Sequence, residues 1–117
     1  MKKITILIIL LFSLGGCFGD EHIQNIKDST LKSYPNKKLG QVIDKYVENP
    51  EWETIVGTDG KTYVNVIGKI MYVGVKSNLK IQYKIYEDGY EFNALEINGI
   101  PQGPFIYYLL LESMYER

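Results

Sequence analysis

Residues 79–86 read Leu79-Lys80-Ile81-Gln82-Tyr83-Lys84-Ile85-Tyr86, and their reading decides the fold. Side chains on a strand point alternately to opposite faces, so strict apolar–polar alternation marks a strand with one face buried and one in water, the usual state of an antiparallel sheet. Leu79, Ile81, Tyr83 and Ile85 form the inward set. Lys80, Gln82, Lys84 and Tyr86 form the outward set.

Upstream, Lys76-Ser77-Asn78 separates this strand from a long β-branched run, 62–75, in which Val64, Val66, Ile70 and Tyr72 share a face with Gly68 while Asn65 and Lys69 take the other. Gly68 inside such a run points to a bulge or a bend. Thr58-Asp59-Gly60 predicts a tight hairpin back to a first strand, 52–56, because Asp-Gly supplies the backbone geometry such turns need. Downstream, Glu87-Asp88-Gly89 makes another turn, and residues 90–97 form a fourth strand before Asn98-Gly99. Consecutive strands with short connections pair most simply as a meander.

Two helices flank this sheet. Leu39, Val42, Ile43, Tyr46 and Val47 recur at helical spacing, with Gln41, Asp44, Lys45 and Glu48 opposite them, and predict a helix over 38–48 that Asn49-Pro50 stops. Pro101-Gln102-Gly103-Pro104 resets the chain, after which residues 105–115 carry Ile106, Leu109, Leu110 and Met114 on one side and Phe105, Tyr108 and Glu112 partly on another. Apolar surface of that breadth predicts a largely buried helix. The expected fold class is α+β: a helix, a four-stranded antiparallel meander sheet and a C-terminal helix, with the helices on one sheet face. Between Gly19 and Ser33 only Ile23, Ile26 and Leu31 are apolar, which reads as a tether docking at its far end, followed by a turn at Tyr34-Pro35-Asn36.

The amino terminus has a different character. Lys2 and Lys3 precede an apolar run, 4–12, broken only by Thr5. A membrane span needs about 20 apolar residues, so this one fits the core of an export signal. Leu14-Gly15-Gly16-Cys17 closes it. These four residues resemble the lipobox of bacterial lipoproteins. The resemblance implies cleavage between Gly16 and Cys17, a diacylglyceryl group on the Cys17 thiol, and often a further acyl chain such as palmitate on the freed amine. Two or three chains give stable anchoring where one does not, since each buried methylene is worth about 0.8 kcal/mol. Phe18 stands where enterobacterial inner-membrane lipoproteins carry Asp, so the resemblance implies the outer membrane in a diderm host. The chain is thus expected to divide into a signal at 1–16, a lipidated tether at 17–33 and one α+β domain at 34–117. That domain is similar to a set of small exported bacterial domains without an assigned biochemical role, on Tyr34-Pro35, Pro50-Glu51-Trp52, Asp59-Gly60 and Asn98-Gly99-Ile100-Pro101-Gln102.

Composition narrows the function. Thirteen basic and 14 acidic residues give a net charge of −1, and loss of Lys2 and Lys3 takes the remainder to about −3. A nucleic-acid partner is not expected, because backbone binders gather a basic excess on one face. Cys17 is the single cysteine and His22 the single histidine, so neither a disulfide framework nor a His- or thiolate-built metal site is available. No cofactor is expected beyond the lipid. Gly57-Thr58-Asp59-Gly60-Lys61-Thr62 ends like a phosphate loop but lacks the first glycine at the required spacing, and reads as a turn. Ser29, Ser33, Ser77 and Ser113 lack the context of an activated nucleophile.

Glu51, Glu53, Asp59, Glu87, Asp88, Glu91 and Glu96 could supply a carboxylate pair for acid–base work, though most lie beside turns where acidic residues serve solubility and local hydrogen bonding. Trp52, after a helix stop and before a strand, reads as core rather than as a ligand anchor. The outward sheet face, with Tyr63, Lys69, Lys80, Gln82, Lys84, Tyr86 and Tyr90, is the candidate binding surface, because tyrosines offer apolar area with a polar tip. The alternative is a merely solvated face. The functional expectation is a non-enzymatic, membrane-anchored envelope lipoprotein whose small domain binds a protein or cell-wall partner. An exclusion, immunity or inhibitor lipoprotein is the alternative within that class, and a carboxylate-dependent enzyme acting on envelope glycans is the alternative outside it.

Overall fold

The computed structural model describes residues 16–116, so the expected export signal up to Gly15, including Leu14 and Gly15 of the motif that resembles a lipobox, lies outside the described residues. In chain order the elements are helix α1 (Gly16–Lys27), strands β1 (Thr30–Leu31) and β2 (Tyr34–Lys38), helix α2 (Leu39–Tyr46), strands β3 (Glu48–Val56), β4 (Thr62–Tyr72), β5 (Val75–Tyr86), β6 (Gly89–Ile97) and β7 (Ile100–Gln102), and helix α3 (Pro104–Tyr115). The class is α+β. A five-stranded antiparallel sheet runs in the order β3-β4-β5-β6-β7, and β1 and β2 form a separate two-stranded ribbon.

The meander therefore has one strand more than the four expected. Asn98 (φ 54°) and Gly99 (φ 79°) form a two-residue turn, and Ile100, Pro101 and Gln102 return to pair with Ile97, Glu96 and Leu95. Pro101 is tolerated there because β7 is an edge strand. Likewise β3 starts at Glu48 rather than Trp52, passing through Asn49 (φ 52°) and Pro50 across an irregular register before regular pairing at Glu51. The β4–β5 turn also falls elsewhere: Val73 (φ 51°) and Gly74 (φ 77°) make it, and Lys76-Ser77-Asn78 belongs to β5. Positive φ at both central residues suits the twist of the flanking strands.

All three helices contribute to one core against one face of the sheet. Leu39, Val42 and Ile43 of α2 and Tyr107, Leu110, Leu111 and Met114 of α3 join Val64, Val66, Ile81, Tyr83 and Leu95. The segment expected to be a tether is helical as far as Lys27, and Ile26 is wholly buried in that core with Ile23 packed against it. Three apolar residues looked isolated in the sequence, yet Ile23 and Ile26 are one helical turn apart and seat one stripe. Gln24 donates to the Asp28 carboxylate at 3.0 Å and Ser29 Oγ donates to the Ile26 carbonyl at 2.7 Å, closing α1. Trp52 fastens this helix to α2. Its Nε1 donates to Asp44 Oδ1 at 2.8 Å, the Lys27 ammonium lies 5.0 Å from its ring centre, and Lys27 also faces Asp44 at 3.5 Å.

Gly68 continues the regular register toward β5 through its pairing with Leu79, and the irregularity it marks lies on β3, where Asn49 and Pro50 stand opposite it. Gly68 also marks a close approach. A Cβ there would collide with Val47 Cγ1 and stand 2.9 Å from the Glu48 carbonyl oxygen. Its absence lets the α2–β3 junction cross over β4.

Candidate functional site

The antiparallel register places four polar residues from four neighbouring strands in one row on the face that the helices leave uncovered. Glu53 pairs with Asn65, Asn65 with Gln82, and the β6 bulge brings Asn93 alongside. Asn65 Nδ2 donates to Glu53 Oε2 at 3.1 Å, Gln82 Nε2 donates to Asn65 Oδ1 at 3.1 Å, and Asn93 Nδ2 donates to Gln82 Oε1 at 2.7 Å. Asn65, only 2% exposed, sits mid-ladder with both ends of its amide engaged. A hydrogen-bond chain of this kind is directional, holds each amide in one orientation, and rigidifies the face across about three strand spacings of 4.8 Å.

Around this ladder stand the residues that the sequence reading assigned to the face. Tyr63 pairs with Lys84, and Lys84 with Glu91, in the adjacent outward row. The Tyr63 hydroxyl donates to Asp59 Oδ2 at 2.7 Å, while Asp59 Oδ1 accepts from the Lys61 amide at 2.9 Å. The Tyr63 hydroxyl foremost, and then that amide, hold the Asp59 carboxyl below its ordinary range. The Lys84 ammonium lies 5.4 Å from the Tyr86 ring centre, and the Tyr86 hydroxyl donates to Glu91 Oε2 at 2.9 Å. On the other side of the ladder, Lys80, Gln82, Ala94 and Glu96 line a notch of about 60 Å³. Lys69 pairs with Glu48 and Asn78 near the far end of the face.

Tyr90 does not belong to this group. It pairs with Ile85, meets Tyr83 edge-on with ring centres 5.4 Å apart, and hydrogen-bonds through its hydroxyl to Ser29 Oγ, all on the helix-covered side. Register explains the error. Between the pairs Gln82–Ala94 and Tyr83–Phe92, β6 has one extra residue, Asn93, so the alternation changes phase there. Tyr90 and Phe92 precede the shift while Leu95 and Ile97 follow it, and all four pack toward the core. The signal was present in the sequence, because even-numbered aromatics give way to odd-numbered aliphatics within one strand. Asn93 was missed for the same reason, whereas the linking of Asn65 to Glu53 and Gln82 was missed because their register was not fixed from sequence.

Other residues singled out in the sequence fall elsewhere. His22, half-buried on α1, lines a depression of about 510 Å³ with Glu21, Asn25, Glu87 and Asp88, so the β5–β6 turn lies beside the second half of the helix rather than near a free tether. Glu51 and Glu96 share the outward row that runs through Ile67 and Lys80.

Comparison with protein-family models, curated proteins and solved structures finds no match. The functional reading therefore starts from the face itself. Its amides are committed to one another, which leaves the Lys80 and Lys84 ammonium groups, the Tyr63 and Tyr86 rings and the Glu96 carboxylate on its surface. Such a set, flat and mixed in charge, is suited to polar recognition with modest apolar contact.

Proposed function

We propose that this chain is a bacterial lipoprotein, anchored through acyl chains on Cys17 to the cell-envelope membrane, whose α+β domain is a non-catalytic binding module for a protein or cell-wall partner. The observation that carries the reading is the fixed Glu53–Asn65–Gln82–Asn93 ladder on the sheet face that no helix of the described residues covers. A sheet face with no role beyond solubility gains little from a buried asparagine, which must be fully hydrogen-bonded to avoid a cost of about 1–3 kcal/mol. A binding face gains orientation and rigidity from the same residue. The lipobox supplies the anchor. Cys17 stands in the first turn of α1, and α1 is fastened to the domain through Ile26, Lys27 and Trp52, so acyl chains on Cys17 hold the domain close to the bilayer rather than on a long leash.

The test is co-sedimentation of the full-length protein with purified cell-wall sacculi, together with crosslinking in the producing bacterium. The double variant Lys80→Glu, Lys84→Glu is the comparison. Binding to sacculi, or one dominant crosslinked protein, that disappears in the double variant supports the reading. Full retention of all partners by the variant contradicts it.

A further inference from the structure

A second, chemically different site lies on the helix-covered side, where the β1–β2 ribbon, the start of β6 and α3 enclose a groove of about 610 Å³. That is within the range of small-ligand sites. Its walls include Tyr34, Tyr90, Phe92, Tyr107 and Tyr108, and Glu91 and Glu112 stand among them; no basic side chain of the described residues lines it. Tyr34 and Phe92 are half-buried, and Tyr108 remains 60% exposed at the mouth. The rings are held in place from behind: Phe92 stacks on Tyr107 with centres 4.0 Å apart, Tyr107 meets Tyr108 edge-on at 5.2 Å, and Tyr34 stacks on Tyr115 at 4.5 Å.

The charged side chains that line the groove are acidic. Glu116 Oε2 accepts from the Tyr34 hydroxyl at 3.1 Å, and the Glu116 and Glu112 carboxylates both push the Tyr34 phenol above its ordinary range. The same end of α3 already attracts a cation, since Lys37 Nζ donates to the Tyr115 carbonyl at 2.8 Å, where unpaired carbonyls carry the negative end of the helix dipole. Aromatic faces are negative at their centres and attract cations, most strongly those that shed water easily. Fixed rings, neighbouring carboxylates and the absence of a lining base disfavour an anion and favour a positively charged organic head.

We propose that this groove binds an alkylammonium group on a short apolar stem, with the cation against the Tyr34, Phe92 and Tyr108 rings and Glu112 as its counter-charge. The site shares only Glu91 with the open sheet face and does not depend on what that face binds.

The experiment is a titration of the full-length protein in detergent solution with choline, followed by the aromatic resonances in NMR spectra. The comparison ligand is 3,3-dimethylbutan-1-ol, the uncharged analogue of the same shape. Choline should saturate at millimolar concentration and bind about tenfold more tightly than the neutral analogue, with the largest shifts on groove residues. Tyr108→Ala and Glu112→Gln, both at exposed positions, should each weaken choline binding about threefold to tenfold while leaving the remaining spectrum unchanged. Equal binding of the two ligands, no saturation at tens of millimolar, or choline affinity unchanged in both variants would overturn the proposal.

Discussion

Asn65 Oδ1 accepts the Gln82 side-chain amide at 3.1 Å while Asn65 Nδ2 donates to Glu53, so a residue 2% exposed joins β3 to β5 through side chains alone. Replacing Asn65 by Ala removes the centre of the ladder and leaves Glu53 and Gln82 each short of a partner. We expect Asn65→Ala to lower stability by about 1–3 kcal/mol in urea denaturation and to abolish partner binding at temperatures where the variant is still folded. A variant of full stability would mean that the ladder is replaced by water without cost.

Gly68 is constrained by space rather than by backbone conformation. Gly68→Ala sets a methyl group against Val47 and the Glu48 carbonyl, and the backbone on one side must move. The expected loss is about 2–3 kcal/mol by thermal or urea unfolding, comparable to other overpacked sites. Gly103→Ala, where nothing lies within 4 Å of the added carbon, is the control and should change stability far less.

Tyr115 is 2% exposed, and its hydroxyl finds no hydrogen-bond partner among the described residues. The stack on Tyr34 requires the ring, not the oxygen. Tyr115→Phe should therefore be neutral or raise stability by up to about 1–2 kcal/mol. A clear loss would show that the hydroxyl is engaged.

Tyr83 and Tyr107 share a hydrogen bond of 3.0 Å in the core, and burial is the main reason that both phenols are pushed well above their ordinary range. Unfolded, they ionise near pH 10. A raised folded value means that the stabilisation is whole below about pH 10 and is lost as pH rises toward the folded values. Exposed tyrosines should ionise first and reversibly in an alkaline titration followed by tyrosinate absorbance. The buried pair should ionise only with cooperative unfolding, and Tyr83→Phe should remove part of that second phase.

The sequence reading succeeds where one rule governs a whole segment. Residues 79–86 alternate cleanly and residues 62–70 do so apart from Ile67 in the outward row, and their inward and outward sets are the ones found. The α2 stripe from Leu39 to Val47 is equally regular. It fails where a single residue changes the phase. Asn93 shifts the alternation in β6 and sends Tyr90 to the covered side, and Val73, a residue that rarely adopts positive φ, hides the β4–β5 turn inside a β-branched run. Pro50 and Pro101 argued against strands that exist because both strands lie at sheet edges. Helix α1 was hidden by its polar solvent face. The pairing of Asn65 with Glu53 and Gln82 depends on register, which follows only once the turns are placed.

Lipidation at Cys17 decides whether the open face is displayed at a membrane, and the intact mass of the protein tests it most directly. Full-length protein and Cys17→Ser should be expressed in the native bacterium, extracted with detergent and weighed by mass spectrometry. The account predicts that the natural protein has lost residues 1–16 and gained the mass of two or three acyl chains with their glyceryl link, and that the variant carries no lipid. An unmodified Cys17 in the natural protein would contradict it.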